Sequence, residues 1–173
     1  LDFHEKNLVV MSQYPATWDS VIIDAQRADL HFNIGNNTGN STITASKSKL
    51  IGLTLTNGDA AAANNVEGVA GGSVTLRDKA SMTFEKVFFH NNTLGNNNST
   101  SSAGAVSMSH PGSKFYNCRF EKNRAQLVNN GNPRSTGAIG IDNWASNNDA
   151  SYSSIYTLID GCEFIENKGF SEG

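Results

Sequence analysis

The sequence predicts an all-β protein wound as a parallel β-helix, a solenoid of about 30 residues per coil. Three observations predict it. Gly72-Ser73-Val74-Thr75-Leu76, Gly104-Ala105-Val106-Ser107-Met108 and Gly137-Ala138-Ile139-Gly140-Ile141 share a pattern and begin about 32 and 33 residues apart. Behind it runs a second pattern: Val87-x-Phe89-x-x-Asn92, Cys118-x-Phe120-x-x-Asn123 and Cys162-x-Phe164-x-x-Asn167, with a weaker copy at Leu53-x-Leu55-x-x-Gly58. Finally, no stretch carries apolar residues at helical spacing over three turns, while every unit offers short β-rich runs between turns. An all-β sandwich is the alternative, but it needs antiparallel hairpins with tight turns and gives no reason for Phe89, Phe120 and Phe164 to recur in one context.

The opening elements are a β-rich run at Lys6 to Met11, a polar turn at Ser12 to Thr17, and further runs at Ser20 to Asp24 and Leu30 to Ile34. None is long enough for a helix. Gly35 to Ser41 is a turn-rich connector, and Lys49 to Gly58 reads as two short strands meeting at a bend near Gly52.

From there the repeat aligns position by position. Leu50, Phe84, Phe115 and Ile159 form one column, Leu53, Val87, Cys118 and Cys162 a second, and Leu55, Phe89, Phe120 and Phe164 a third. Residues two apart in a strand share a face, so the second and third columns point together into the core. The residues between and after them, Thr54, Phe88, Arg119, Glu163 and then Thr56, His90, Glu121, Ile165, are expected to face outward. Gly58, Asn92, Asn123 and Asn167 read as a turn column, because Asn and Gly tolerate left-handed backbone and a stacked Asn can bond its neighbour's amide. Asp59 to Gly71, Thr93 to Ala103 and Arg124 to Thr136 are expected to be loops along one edge of the stack. A further insertion, Asp142 to Ser154, carries Trp144, which either covers the scaffold or stacks on a sugar ring.

With 173 residues and no linker-like break, residues 1–173 read as a single domain. Charged residues make up 17% and the net charge is -3, which argues against a basic stripe and hence against nucleic acid as partner. No apolar run approaches the roughly 18 to 20 residues that span a bilayer, so no transmembrane segment is expected. The first residues form no signal peptide, and the reading is of a chain processed or cut from something longer. Abundant Asn, Ser, Thr and Gly suit short strands, many turns and an extracellular or cell-surface setting. The sequons at Asn36, Asn40, Asn91 and Asn98 are N-glycosylation candidates in a eukaryotic secreted protein, although this composition supplies such triplets by chance.

Cys118 and Cys162 should be lateral neighbours in successive coils. A disulfide lies within Cα range, but parallel in-register Cβ atoms stand wider than the bridge prefers, which favours two buried thiols. No second pair of Cys or His has zinc-ligand spacing, and no cofactor or metal is expected.

Gly-Ala-Val and Gly-Ala-Ile alternating with Phe-x-x-Asn resemble the repeat of the passenger domains of chlamydial-type polymorphic outer membrane proteins and related pectate-lyase-like adhesins. The resemblance covers most of residues 50 to 169, and Glu5 to Val10 with Val21 to Asp24 look like the first coil of such domains. It implies a right-handed, single-stranded parallel β-helix of the autotransporter-adhesin type.

The same fold resembles that of pectinolytic enzymes, so catalysis must be weighed on residues. Lyases need carboxylates for calcium and a basic residue to take the sugar's α-proton, and hydrolases need converging carboxylates. The outward cluster that could qualify is Arg119, Glu121, Lys122, Glu163 and Glu166, with His90 beside it. Arg119 is expected beside Glu163, Lys122 beside Glu166 and His90 beside Glu121, a ladder of opposite charges rather than a reaction centre. His4, His31 and His110 are expected singly at surfaces or turns. The reading is therefore a non-enzymatic extracellular structural or adhesive module. Its partners would be neighbouring domains, copies of itself in a filament or surface layer, or cell-surface glycans. A polysaccharide-active enzyme and a glycan-binding module are the alternatives.

Overall fold

The structure, a computed structural model, describes residues 7–14, 17–19, 21–35, 47–60, 69–95, 101–125, 135–141 and 155–169. Among these residues the regular structure is all strand, with no helix. The strands are two or three residues long and every pairing between them is parallel. Parallel neighbours cannot be joined by a hairpin, so each strand must find its partner in a later stretch of chain.

The chain visits its sheets in a fixed order. A first pass supplies β1 (Val9–Met11), β2 (Ile22–Asp24) and β3 (Phe32–Ile34), and a second β4 (Lys49–Ile51), β5 (Thr54–Thr56), β6 (Val69–Gly71) and β7 (Val74–Leu76). The third pass supplies β8 (Thr83–Glu85), β9 (Phe88–His90), β10 (Thr93–Leu94), β11 (Ser101–Ala103) and β12 (Val106–Met108). The fourth supplies β13 (Lys114–Tyr116), β14 (Arg119–Glu121), β15 (Arg124–Ala125), β16 (Ser135–Thr136) and β17 (Ile139–Ile141), and the fifth β18 (Leu158–Asp160) and β19 (Glu163–Ile165). Equivalent strands lie side by side, in the orders β1-β4-β8-β13-β18, β2-β5-β9-β14-β19 and β3-β7-β12-β17.

Register puts like residues beside like. Leu50, Phe84, Phe115 and Ile159 are successive lateral partners, as are Ile23, Leu55, Phe89, Phe120 and Phe164. The rings stack almost flat: Phe84 on Phe115 and Phe89 on Phe120 at 4.7 Å between centroids, Phe120 on Phe164 at 4.9 Å. Between the two columns the rings meet edge to face at 5.7 and 5.8 Å. Offset stacking within a column and T-shaped contact across it are the arrangements that the ring quadrupole favours.

The bends have a common cause. Gly52, Lys86, Asn117 and Gly161, one per pass, all take φ between 50° and 63°. A second left-handed column comprises Asn57, Asn91, Lys122 and Glu166, with φ between 52° and 55°. The left-handed residue thus falls one place before the expected Asn column, and Asn92, Asn123 and Asn167 have ordinary φ. Their side chains turn inward to bond the backbone instead, a job for which an amide is suited and a left-handed φ is not needed.

Two other expectations are corrected. Residues 59–71, 93–103 and 124–136, read as loops, begin and end in paired strands: β10 with β15, and β6, β11 and β16 in one sheet. Leu30, Ala60, Ala70, Leu94 and Ala125 close a small second core between them. Thr54 and Thr56, placed on the outward face, are 6% and 9% exposed. The stretch before β2 covers Thr54, whose Oγ1 donates to the Trp18 carbonyl at 2.5 Å, with Trp18 lying 6.1 Å from Phe88, while Thr56 lies between Asp24 and His90.

The glycine of the Gly-Ala-Val pattern answers to a close approach of backbones. A Cβ at Gly104 would stand 2.2 Å from the Gly137 carbonyl oxygen and 2.6 Å from the Arg124 nitrogen. No side-chain rotation relieves a contact with backbone atoms, so the repeat keeps glycine there.

Candidate functional site

The Phe-x-x-Asn motif builds the wall of the candidate site. After the inward Phe comes an outward residue, then the left-handed residue, then the inward Asn. Asn123 is fully buried, and every polar group of its amide is used. Its Oδ1 accepts the Asn92 main-chain N–H at 3.1 Å and the Asn92 Nδ2 at 3.0 Å, while its own Nδ2 donates to the Phe89 carbonyl at 2.9 Å and to Asn167 Oδ1 at 2.8 Å. Asn92 and Asn167 repeat the scheme toward Leu55 and Phe120. Such a ladder removes the desolvation cost of burying amides and locks the register of the passes.

The residue after each ladder position emerges on the outside. Asp59, Thr93, Arg124 and Lys168 are successive lateral neighbours through the β10–β15 pair and two flanking bridges. They line a groove of about 600 Å³ that also takes Arg27, Asn91, Lys122 and Glu166. Arg27 reaches across from the first pass to donate to Thr93 Oγ1. Arg124 and Lys168 are exposed and stand directly beside each other, and neither has an acidic partner among the described residues. Like charges at lateral positions are destabilising in a sheet. Lys122 holds Glu121 at 3.3 Å.

The register sets Arg119 beside Glu163 and His90 beside Glu121, as expected, but the side chains make their shortest contacts elsewhere. Arg119 turns mainly along its own strand, with Nη2 at 2.6 Å and Nε at 3.0 Å from Glu121 Oε2. Glu163 in the next pass is second, at 3.6 Å, and the guanidinium lies 5.3 Å from the Phe88 ring centroid. Lys122 pairs with Glu121 at 3.3 Å rather than with Glu166. The His90 ring nitrogen Nδ1 contacts Thr56 Oγ1 at 3.3 Å rather than Glu121. Hydrogen bonds from Arg119, and then from Lys122, hold the Glu121 carboxyl below its ordinary range.

Compared with known proteins, the chain matches no family model, no curated protein and no solved structure.

His31, expected at a surface or turn, is 6% exposed. Its Nε2 donates between the Ile23 and Thr56 carbonyls, at 3.0 and 3.1 Å, which leaves Nδ1 to accept from Ser73 Oγ at 3.0 Å. The ring therefore ties the first two passes together. Burial pushes its pKa below the ordinary 6.5. His110 is buried too, with Nδ1 against the Pro111 carbonyl.

Cys118 and Cys162 are free thiols, the first buried and the second half-buried. The Cys118 main-chain N–H points to Cys162 Sγ at 3.4 Å. Burial raises the Cys118 pKa, while hydrogen bonding from Cys118 lowers that of Cys162 to about 7. Cys162 is thus the thiol that ionises near neutrality.

Of the glycosylation candidates, Asn91 is described: it is half-buried, left-handed, and its Nδ2 donates to Asn57 Oδ1 at 2.8 Å. Asn36, Asn40 and Asn98 lie outside the described residues, as do His4, Asp142 and the insertion with Trp144. Among the described residues, no group of three or more His, Cys, Asp and Glu side chains could hold a metal ion, and no helix is long and apolar enough to cross a membrane. Sequence reasoning missed the Arg124–Lys168 row and Arg27. The signal was one place past each motif Asn.

Proposed function

We propose that this chain is a right-handed, single-stranded parallel β-helix module with a structural or adhesive, non-catalytic role outside a cell, of the kind found in adhesin passenger domains. The reading is carried by the register: five passes place equivalent residues side by side, with an aromatic stack and an amide ladder filling the interior. Such a stack makes a stiff rod on which outward residues of successive passes form one continuous surface. Its parallel edges allow the module to continue into neighbouring coils or to stack on a copy of itself.

An enzymatic reading would have to use the outward cluster. A lyase needs a basic group free to take a proton, whereas Arg119 is committed to Glu121 and Glu163. A hydrolase needs one carboxyl raised so that it can donate a proton, whereas Glu121 is shifted the other way.

The test is incubation of the protein with acidic and neutral polysaccharides, following new reducing ends and unsaturated uronate absorbance. No product is expected. Turnover that disappears in a folded Arg119→Ala variant would overturn the reading. Electron microscopy without ligand separates the two structural roles, with ordered filaments expected if copies stack and separate particles if they do not.

A further inference from the structure

We propose that Cys162 is a thiolation site, a half-buried nucleophile that takes up half of a small cationic disulfide as a reversible mixed disulfide, while Cys118, its lateral neighbour in the pass before, stays reduced.

Cys118 and Cys162, the chain's two cysteines, immediately precede Arg119 and Glu163, which are lateral partners, so the thiols occupy one column in successive passes. Cys118 is fully buried, and its Sγ lies 3.5 Å from the Phe84 and Tyr116 carbonyls. Cys162 belongs to the fifth pass, and no described strand lies over the outer edge of that pass. Ile159 and Phe164, the inward residues on either side of it, are 46% and 49% exposed, so this end of the column is open. A reagent from solvent therefore meets Cys162 and not Cys118.

The chemistry agrees with the access. A thiolate, not a thiol, attacks a disulfide. Desolvation penalises the charged form, so the less buried of two adjacent thiols ionises first. The Cys118 main-chain N–H, 3.4 Å from Cys162 Sγ, gives the resulting anion a donor. A pKa of about 7 then supplies thiolate at neutral pH. The Phe115 and Asp160 carbonyls, at 3.5 and 3.4 Å, accept the S–H of the neutral form. In the exchange the Cys162 sulfur bonds to one sulfur of the reagent R–S–S–R and the S–S bond of the reagent breaks. The other half leaves as a thiolate and takes up the proton that Cys162 gave to solvent. Cys162 is thereby oxidised and the departing half reduced.

The exchange stops at that adduct. Parallel in-register Cβ atoms stand about 4.8 Å apart, whereas a disulfide prefers roughly 3.5–4.5 Å, so Cys118 is poorly placed to displace the adduct by an internal bridge. Charge selects the reagent. Asp160 and Glu163, both exposed, lie two places before and one place after Cys162. Arg119 stands 3.6 Å from Glu163, and Asp160 has no ion-pair partner among the described residues. A cationic disulfide is drawn to such a site and an anionic one repelled.

The probe is cystamine, a cationic disulfide, incubated with the reduced, folded protein at neutral pH and low salt, with anionic oxidised glutathione as the comparison. Peptide mapping by mass spectrometry is expected to find one cystamine half per chain, on Cys162, removable by dithiothreitol, with Cys118 reduced. Dividing each rate by that of the same reagent with mercaptoethanol corrects for intrinsic reactivity. Cystamine should then be about tenfold faster, an advantage lost at high salt. In urea both cysteines should be labelled, which identifies the fold as the source of the selectivity. A Cys162→Ser variant, folded by circular dichroism, should take up no label. No adduct on the folded protein, an adduct on Cys118, an internal Cys118–Cys162 disulfide, or oxidised glutathione reacting as fast as cystamine at low salt would each overturn the proposal.

Discussion

Asn123 and Arg124 are neighbours in the chain and opposites in environment. Asn123 is buried between Asn92 and Asn167, and each amide satisfies the next. Arg124 is exposed beside Lys168, and each cation repels the next. Parallel register sets three amides side by side in the first column and, at the end of the mixed row Asp59, Thr93, Arg124 and Lys168, two cations in the second. What differs is whether likeness is favourable: amides and flat aromatic rings can pair with copies of themselves, and cations cannot. A column filled with self-complementary side chains is explained by stability, whereas the adjacent pair Arg124 and Lys168 is not.

The interior half of this comparison breaks most readily at Phe120, which stacks between Phe89 and Phe164. Phe120→Ala should lower the free energy of unfolding by about 3–5 kcal/mol through loss of packing and the cavity left behind. A denaturant titration showing a loss under about 1 kcal/mol would contradict the stacking.

Asn123→Ala should cost about 2–3 kcal/mol, because it strands the Asn92 donors and the Phe89 carbonyl in a buried site. Asn123→Asp would not rescue it, since a carboxylate cannot donate to Phe89 and Asn167. Parallel denaturation of the two variants checks this.

Acid separates the columns in another way. With its pKa pushed below 6.5, His31 contributes stability that is fully present above that value and is lost as pH falls through its folded pKa. The melting temperature is therefore expected to fall as pH drops below 6.5, before the carboxylates titrate, and His31→Gln should flatten that slope.

The smallest effect should come from the groove. Lys168→Glu turns a like-charge neighbour of Arg124 into an opposite one and should stabilise the fold by roughly 0.2–1 kcal/mol, read as a shift in the denaturation midpoint. A destabilised variant would mean that the row is structural after all.

Much of the interior was legible from residues 50 to 169, because one motif repeated three times carries its own alignment. The columns of Leu55, Phe89, Phe120 and Phe164, and the amide ladder at Asn92, Asn123 and Asn167, follow from a period and an alternation of faces, both local properties of the chain. The tertiary structure alone decided what lies against those columns. Trp18 covers Thr54 from 36 residues away, His31 joins Ser73 from 42 residues away, and Arg27 crosses 66 residues to Thr93. The left-handed position fell one residue before the Asn because backbone closure, rather than side-chain preference, places it there, even at Lys122 and Glu166. A repeat determines which residues are equivalent, since that is a matter of spacing. Whether equivalent residues are buried, paired or left facing solvent depends on contacts between segments far apart in sequence, and only the folded chain brings those together.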